Sequence, residues 1–230
     1  GYLFASGYSI HKIGYNYYYV PYFGLYNMST GELIANFSVK IPTEQPYYFP
    51  NTATYYDGKF YSFGTLIELN ETSYVPTGIK SIFISVNPSN GHLANLTPYL
   101  NAGNNYFIST IFSTLNGIWV PIQYLNGTNM LLLFNPATNK TTDETGLTGQ
   151  GFTIYASESL NNTAYLAGVT VNNHGEFAVL NGTTMQVSVK LFPILQPAVP
   201  SAWTAFTTYK DKGFLTVGGN GFIFYNGTFE

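Results

Sequence analysis

The stretch Thr52-Ala53-Thr54-Tyr55-Tyr56-Asp57-Gly58-Lys59-Phe60-Tyr61-Ser62-Phe63-Gly64 decides the fold. Thr and Tyr residues run up to Asp-Gly, and an aromatic run leaves it. Aromatic and β-branched residues fit a pleated surface, and Asp-Gly makes a tight reversal, so the segment reads as a β-hairpin. The same unit returns as Thr110–Thr114, turn Asn116-Gly117, Ile118–Pro121. It returns again as Phe152–Ala156, turn Asn161-Asn162, Ala164–Gly168. A further copy is Trp203–Thr207, turn Asp211-Lys212-Gly213, Phe214–Gly218, and a weaker one is Tyr8–Ile10, turn Gly14-Tyr15-Asn16, Tyr17–Pro21. Turn positions 16, 57, 116, 161 and 211 lie 41 to 59 residues apart, which is propeller-blade spacing.

A second hairpin follows each copy. Three carry Asn-Gly-Thr: Asn126-Gly127-Thr128, Asn181-Gly182-Thr183 and Asn226-Gly227-Thr228. Asn-Gly suits a type I′ turn, where both central residues need φ > 0. The other two hairpins use Met28–Glu32 and Asn87–Gly91. Two hairpins make a four-stranded meander that cannot bury both faces alone, and a ring of such meanders can. The reading is all-β: a β-propeller of about five four-stranded blades in a single domain, 1–40, 41–100, 101–150, 151–197 and 198–230. A large β-sandwich is the alternative. The last blade is short, so either Tyr2–Ser6 closes the ring by pairing there or further blades follow in a longer parent chain. No window keeps an amphipathic helical period behind a cap.

The stretch from Gly213 to Phe229, with its Gly218-Gly219 and Tyr225-Asn226-Gly227-Thr228, resembles the repeats of kelch-like propellers in surface proteins of thermoacidophilic archaea. The resemblance is looser from about 110 to 210. It departs from the strict kelch pattern, since Gly-Gly occurs in one blade. It implies an extracellular location and a binding or scaffolding role.

Composition bounds the function. Of 230 residues, 45% are hydrophobic and 18% aromatic, but only 8% are charged, and the net charge is -3. That aromatic content argues for a packed core and against disorder. All eight basic residues are Lys, none is Arg, and they are scattered, so no phosphate-binding patch is built and no nucleic acid is expected. The longest apolar blocks, such as Met130–Phe134, are too short to span a bilayer, so no membrane span is expected. Cys is absent, which excludes disulfides and thiolate sites.

Nine Asn residues head an Asn-x-Ser/Thr triplet, the N-glycan acceptor motif: Asn27, Asn36, Asn70, Asn95, Asn126, Asn139, Asn161, Asn181 and Asn226. Spread over the whole chain, they favour a cell-surface or extracellular protein. Gly1 in place of Met fits a chain left by signal cleavage, or a cut fragment. A surface of amides and hydroxyls does not titrate, which is the composition expected of a protein working in acid.

Chemistry is sparse. His11, His92 and His174 have no metal-motif spacing, so no metal and no cofactor are expected. No Gly-x-Ser-x-Gly elbow occurs, and Gly218-Gly219-Asn220-Gly221 opens a strand and so reads as a turn instead of a phosphate loop. Among the acidic residues, Glu158 and Glu176 stand within or beside strands and are the pair to watch for glycoside hydrolysis. Tyr15, Tyr17, Tyr18, Tyr19, Tyr22 and Phe23 are expected to pack between blades, and Tyr47-Tyr48-Phe49 to form an exposed loop contact. The leading expectation is a secreted, N-glycosylated envelope propeller without catalysis, whose partners are other envelope proteins, glycans or copies of itself. The alternatives are a carbohydrate-active enzyme with carboxylates in the funnel, and a filament or lattice subunit joined by strand pairing.

Overall fold

The computed structural model describes residues 2–38, 47–69, 76–90, 92–103, 106–160, 162–172, 175–191, 205–209, 212–216 and 222–225. Antiparallel sheets, mostly of successive strands, build most of it, as the hairpin units require. The first sheet holds β1 (Tyr2–Ile13), β2 (Asn16–Asn27) and β3 (Leu33–Ser38). The second holds β4 (Tyr47–Tyr56), β5 (Lys59–Leu69), β6 (Pro76–Val86) and β7 (Leu93–Asn95), followed by the one-turn helix α1 (Thr97–Leu100). The third holds β8 (Tyr106–Phe107), β9 (Phe112–Thr114), β10 (Gly117–Tyr124), β11 (Asn129–Asn135) and β12 (Lys140–Asp143). The fourth holds β13 (Phe152–Leu160), β14 (Thr163–Thr170), β15 (Gly175–Asn181) and β16 (Gln186–Leu191). The fifth holds β17 (Ala205–Tyr209), β18 (Lys212–Thr216) and β19 (Phe222–Tyr225). The chain divides into two compact units, 1–98 and 99–230.

In the first unit, Phe23 and Leu25 meet Phe60, Ile84 and Val86 in one core cluster. The Phe23 and Phe60 rings stack at 6.3 Å. The unit shows where turn chemistry was legible. Asp57 (φ 46°) and Gly58 (φ 76°) are both left-handed, so the β4–β5 reversal is a two-residue hairpin that Gly and Asp tolerate. Tyr2–Ser6 begins β1 and pairs with Phe23–Asn27 of its own sheet, and the strand expected to receive it, Thr228–Glu230, lies outside the described residues. One expectation gives way here. Tyr47-Tyr48-Phe49 is strand, not loop, and pairs with Thr65–Ile67. Pro50 is tolerated because β4 is an edge strand and the register shifts between Pro50 and Thr52, so the missing N–H is not required. Of the aromatic run, Phe23 is fully buried while Tyr15 is 99% exposed at the β1–β2 tip, and the side chains of Tyr17, Tyr18 and Tyr19 lie outside the described set.

In the second unit the third and fourth sheets share a core. Phe112, Trp119 and Leu131 from one pack on Phe152, Ile154, Ala164, Leu166, Ala178 and Leu180 from the other. The Trp119 and Phe112 rings stack at 5.9 Å and 6°. The buried Trp119 Nε1–H is satisfied, donating to Thr114 Oγ1 at 2.9 Å. β10 and β11 are apolar on both faces, and Ile118, Val120, Leu132 and Phe134 are buried opposite that core. The β10–β11 and β15–β16 connections depart from the type I′ expectation. Asn126 Oδ1 accepts from the Thr128 N–H at 3.0 Å, and Asn181 Oδ1 accepts from the Thr183 N–H at 2.9 Å. The Asn side chains thus build the turns as Asx turns within longer loops, and left-handed φ falls on Gly127 and Met185 instead. The third such turn, Asn226-Gly227-Thr228, lies outside the described residues.

The second and third sheets end in the same local device. After β7, Asn95 Oδ1 accepts from the Thr97 N–H, Thr97 Oγ1 accepts from the Phe83 N–H at 2.8 Å, and the Leu96 N–H donates to the Phe83 carbonyl at 2.7 Å. After β12, Asp143 Oδ1 accepts from the Thr145 N–H, Thr145 Oγ1 accepts from the Leu131 N–H at 3.0 Å, and the Glu144 N–H donates to the Leu131 carbonyl at 2.8 Å. In each case a threonine hydroxyl caps a backbone donor of the neighbouring strand where the last strand stops.

Candidate functional site

The register of the fourth sheet locates the two carboxylates. Residues directly opposite in an antiparallel pair share a face. Glu158 stands opposite Tyr165, and Tyr165 opposite Val179. Glu176 stands opposite Gly168, and Gly168 opposite Ile154. Tyr165 and Gly168 are an odd number of residues apart on an unbroken strand, so the carboxylates lie on opposite faces. Glu176 shares the face of Ala178 and Leu180, which packs on the third sheet. The cause is a β-bulge. The register shifts between Ile154 and Ala156, leaving Tyr155 unpaired, so Glu158 has lost the parity it would share with Ile154. Gly168 sits across from this bulge, where a Cβ would run into the Thr153 carbonyl.

Both groups are driven toward the neutral acid. Burial pushes the Glu158 carboxyl above its ordinary 4.5, against the opposing effect of the Ser159 N–H that donates to it at 3.3 Å. Burial also pushes Glu176 up; it is 6% exposed. As a pair they cannot flank a sugar. Glycosidase geometries need two carboxyl groups within about 5–10 Å on the two sides of one bond, and these side chains diverge. On its own face Glu158 has Tyr165 as its cross-strand neighbour. Tyr165 packs on Phe177 at 6.3 Å. β17 lies against β13.

A cleft opens on the other face, between the third and fourth sheets. Pro121, without an N–H, sits mid-strand in β10, and there the neighbouring strand is interrupted. β9 pairs with Gly117–Trp119 and β8 with Gln123–Tyr124, leaving Pro121 between them. Of the strand expected over Thr110–Thr114 only β9 forms, and β8 is a separate short strand ahead of it. The interruption leaves a narrow cleft of about 10 Å³, room for a single water. Apolar side chains such as Ile122, Leu131, Phe152 and Ile154 line it together with Ser109, Gln123, Asn129 and Thr148, and Phe107, 57% exposed, contributes its ring. Asn129 bridges the two walls, donating to the Gln150 carbonyl at 3.0 Å and accepting from the Thr153 hydroxyl at 3.3 Å. The signal legible in the sequence was Pro121 inside an apolar strand.

The other expected residues are dispersed. Asn36, Asn95, Asn126, Asn139 and Asn181 are exposed and Asn27 is half-buried, while Asn70, Asn161 and Asn226 lie outside the described residues. His11 is exposed on β1 and hydrogen-bonded to Ser9, His92 is exposed, and His174 is not among the described residues. Among the described residues no three of His, Asp and Glu gather as metal ligands. No helix there is long and apolar enough to cross a membrane.

No family model and no curated sequence matches the chain. Among solved structures it is similar to Trypanosoma rangeli sialidase in complex with the inhibitor DANA, with TM-score 0.53 and 8% identity over 91% of this chain and 42% of that one. It is also similar to a mutant of the same sialidase displaying trans-sialidase activity, with TM-score 0.53 and 9% identity over 97% of this chain and 41% of that one. The chain thus spans about two fifths of the structures it matches. Sialidases are β-propellers, and at this identity the likeness is one of fold. It corrects the leading expectation. Both neighbours are sialidases, and nothing in the comparisons points to an envelope module without catalysis.

Proposed function

We propose that the chain is a carbohydrate-active β-propeller whose five sheets are its blades. The observation that carries this reading is the likeness to sialidases over nearly the whole chain. The catalytic candidates are Glu158 and Tyr165, a carboxylic acid and a phenol paired across neighbouring strands. An acid whose pKa is raised by burial is suited to protonate a leaving oxygen, and a phenol can replace the second carboxylate as nucleophile, as it does in sialidases. Exposed Asn-x-Ser/Thr triplets and the low share of charged residues support a location outside the cell.

The test is turnover of a panel of 4-methylumbelliferyl glycosides, sialoside included, by the wild-type protein and by Glu158→Gln and Tyr165→Phe. Release of the fluorophore should fall at least about 100-fold in Glu158→Gln, the contribution of a positioned general acid. A folded protein that turns over none of the panel, and binds nothing on a glycan array, would overturn the reading.

A further inference from the structure

We infer that Asn126 is the residue at which the folded protein accepts a covalent glycan, whereas the triplets at Asn95, Asn139 and Asn181 serve the fold and accept sugar only before it forms. The same three residues occur in two described turns, as Asn126-Gly127-Thr128 and Asn181-Gly182-Thr183, and the two copies are held differently. In the β10–β11 loop, Leu125, Asn126, Gly127 and Thr128 are all exposed. Asn126 Oδ1 accepts from the Thr128 N–H at 3.0 Å and from the Thr128 hydroxyl at 2.8 Å. Neither side chain makes another hydrogen bond among the described residues, so both protons of the Asn126 amide stay unengaged. A Cβ at Gly127 would meet nothing within 4 Å, so the loop is open on that side as well. In the β15–β16 loop, Gly182 is buried, its N–H donates to the Asn162 carbonyl at 2.8 Å, and a Cβ there would run into the Asn162 side chain. The Thr183 hydroxyl accepts from Asn162 Nδ2 at 2.9 Å.

The hydroxyls at two further sites are committed in the same way. The Thr97 hydroxyl accepts from the Phe83 N–H at 2.8 Å and donates to the Phe83 carbonyl at 3.4 Å, and Leu96, between it and Asn95, is buried. The Thr141 hydroxyl donates to the Tyr99 carbonyl at 2.5 Å. Of the remaining described acceptors, Asn36 hydrogen-bonds the Tyr22 hydroxyl and Asn27 is half-buried. Transfer joins C1 of a sugar to the amide nitrogen. The bond from C1 to the phosphate oxygen of a lipid-linked donor breaks, the phosphate leaves with the electron pair, and one amide proton passes to the transferase. The enzyme must hold the amide, the middle residue and the hydroxyl together. A triplet already pinned to a neighbouring strand or turn has to be pulled out of the sheet first.

The experiment takes the folded protein, made in a host without N-glycosylation, and incubates it with a single-subunit oligosaccharyltransferase and a lipid-linked oligosaccharide. Short synthetic peptides spanning each triplet are run beside it, and mass spectrometry follows occupancy site by site. Asn126 should be modified in the folded protein at close to the rate of its own peptide. Asn95, Asn139 and Asn181 should each fall at least about tenfold below theirs, because hydrogen bonds must open first. Thr128→Ala should abolish modification at Asn126 and leave the circular dichroism melt unchanged, since the Thr128 side chain holds no other part of the fold. Folding that slows Asn126 as much as the other three, or slows none of the four, overturns the inference. So does an Asn126 that is accepted neither in the protein nor in its peptide, and so does modification that survives Thr128→Ala.

Discussion

On one face of the fourth sheet, Ile154, Leu166, Ala178 and Leu180 close a core against Trp119 and Phe112. On the other, Ala167 and Phe177 are buried at the centre, but Glu158, Tyr165 and Val179 remain partly exposed. The same strands supply both faces, so strand propensity cannot account for the difference. It comes from parity, and parity in β13 is reset by one unpaired residue, Tyr155. Glu158 stays out of that core because the bulge turns it to the other face and brings Ser157 in, where its hydroxyl meets that of Thr110 at 2.6 Å.

Shifting the strand beyond the bulge should have the largest effect. Deleting Ser157 with the bulge kept moves Glu158 from Tyr165 to a place opposite Leu166, on the apolar face. The expected loss exceeds about 5 kcal/mol, beyond the range of ordinary substitutions, and urea unfolding followed by Trp fluorescence should show no cooperative transition. A normal transition would mean that the strand absorbs the deletion by giving up the bulge. Next comes the apolar face itself. Leu166→Ala should cost about 2–5 kcal/mol, whereas Val179→Ala on the other face should cost under about 1.5 kcal/mol. Equal costs in urea midpoints would erase the distinction. Gly168→Ala should cost about 1–3 kcal/mol, because the new methyl must displace the Thr153 carbonyl at the bulge.

The smallest effect concerns pH and involves both carboxyls. Both have folded values raised above 4.5, so the folded protein holds their protons longer than the unfolded chain does. Their contribution is fully present below about 4.5 and is lost as pH rises through the raised values. Stability should therefore decline from pH 4 toward pH 7, the direction that suits a protein working in acid. Glu176→Gln and Glu158→Gln should each flatten that decline, since burial raises both carboxyls. Urea midpoints at pH 4, 5.5 and 7 decide it; a decline unchanged in both variants would show that other groups set the slope.

Much of the fold could be read from turns. Asp57-Gly58 and Gly14-Tyr15 carry their own backbone requirements, and the hairpins they predict form with the expected partners. What failed to be legible depended on neighbours. Pro50 and Pro121 look like strand breakers in isolation and are harmless where a strand edge or a gap removes the need for an N–H. The Leu115-Asn116 reversal begins one residue earlier than Asn116-Gly117 suggested, because Gly117 at φ 141° already pairs with Thr114. Glu158 and Glu176 are visible as strand carboxylates, but whether they face one another depends on the bulge at Tyr155, which no local pattern announces. The cleft was hidden for a similar reason: it is the absence of a stretch of strand.

The paired endings at Asn95-Leu96-Thr97 and Asp143-Glu144-Thr145 have one more consequence. In both, the first residue is needed for a side-chain oxygen and the third for a hydroxyl, so Asn and Asp serve the backbone alike. Only the Asn version carries an amide to which a sugar can be attached. Codons for Asn and Asp differ by a single base, so one nucleotide change can add or delete a decoration point at a blade's end while the architecture stays as it was.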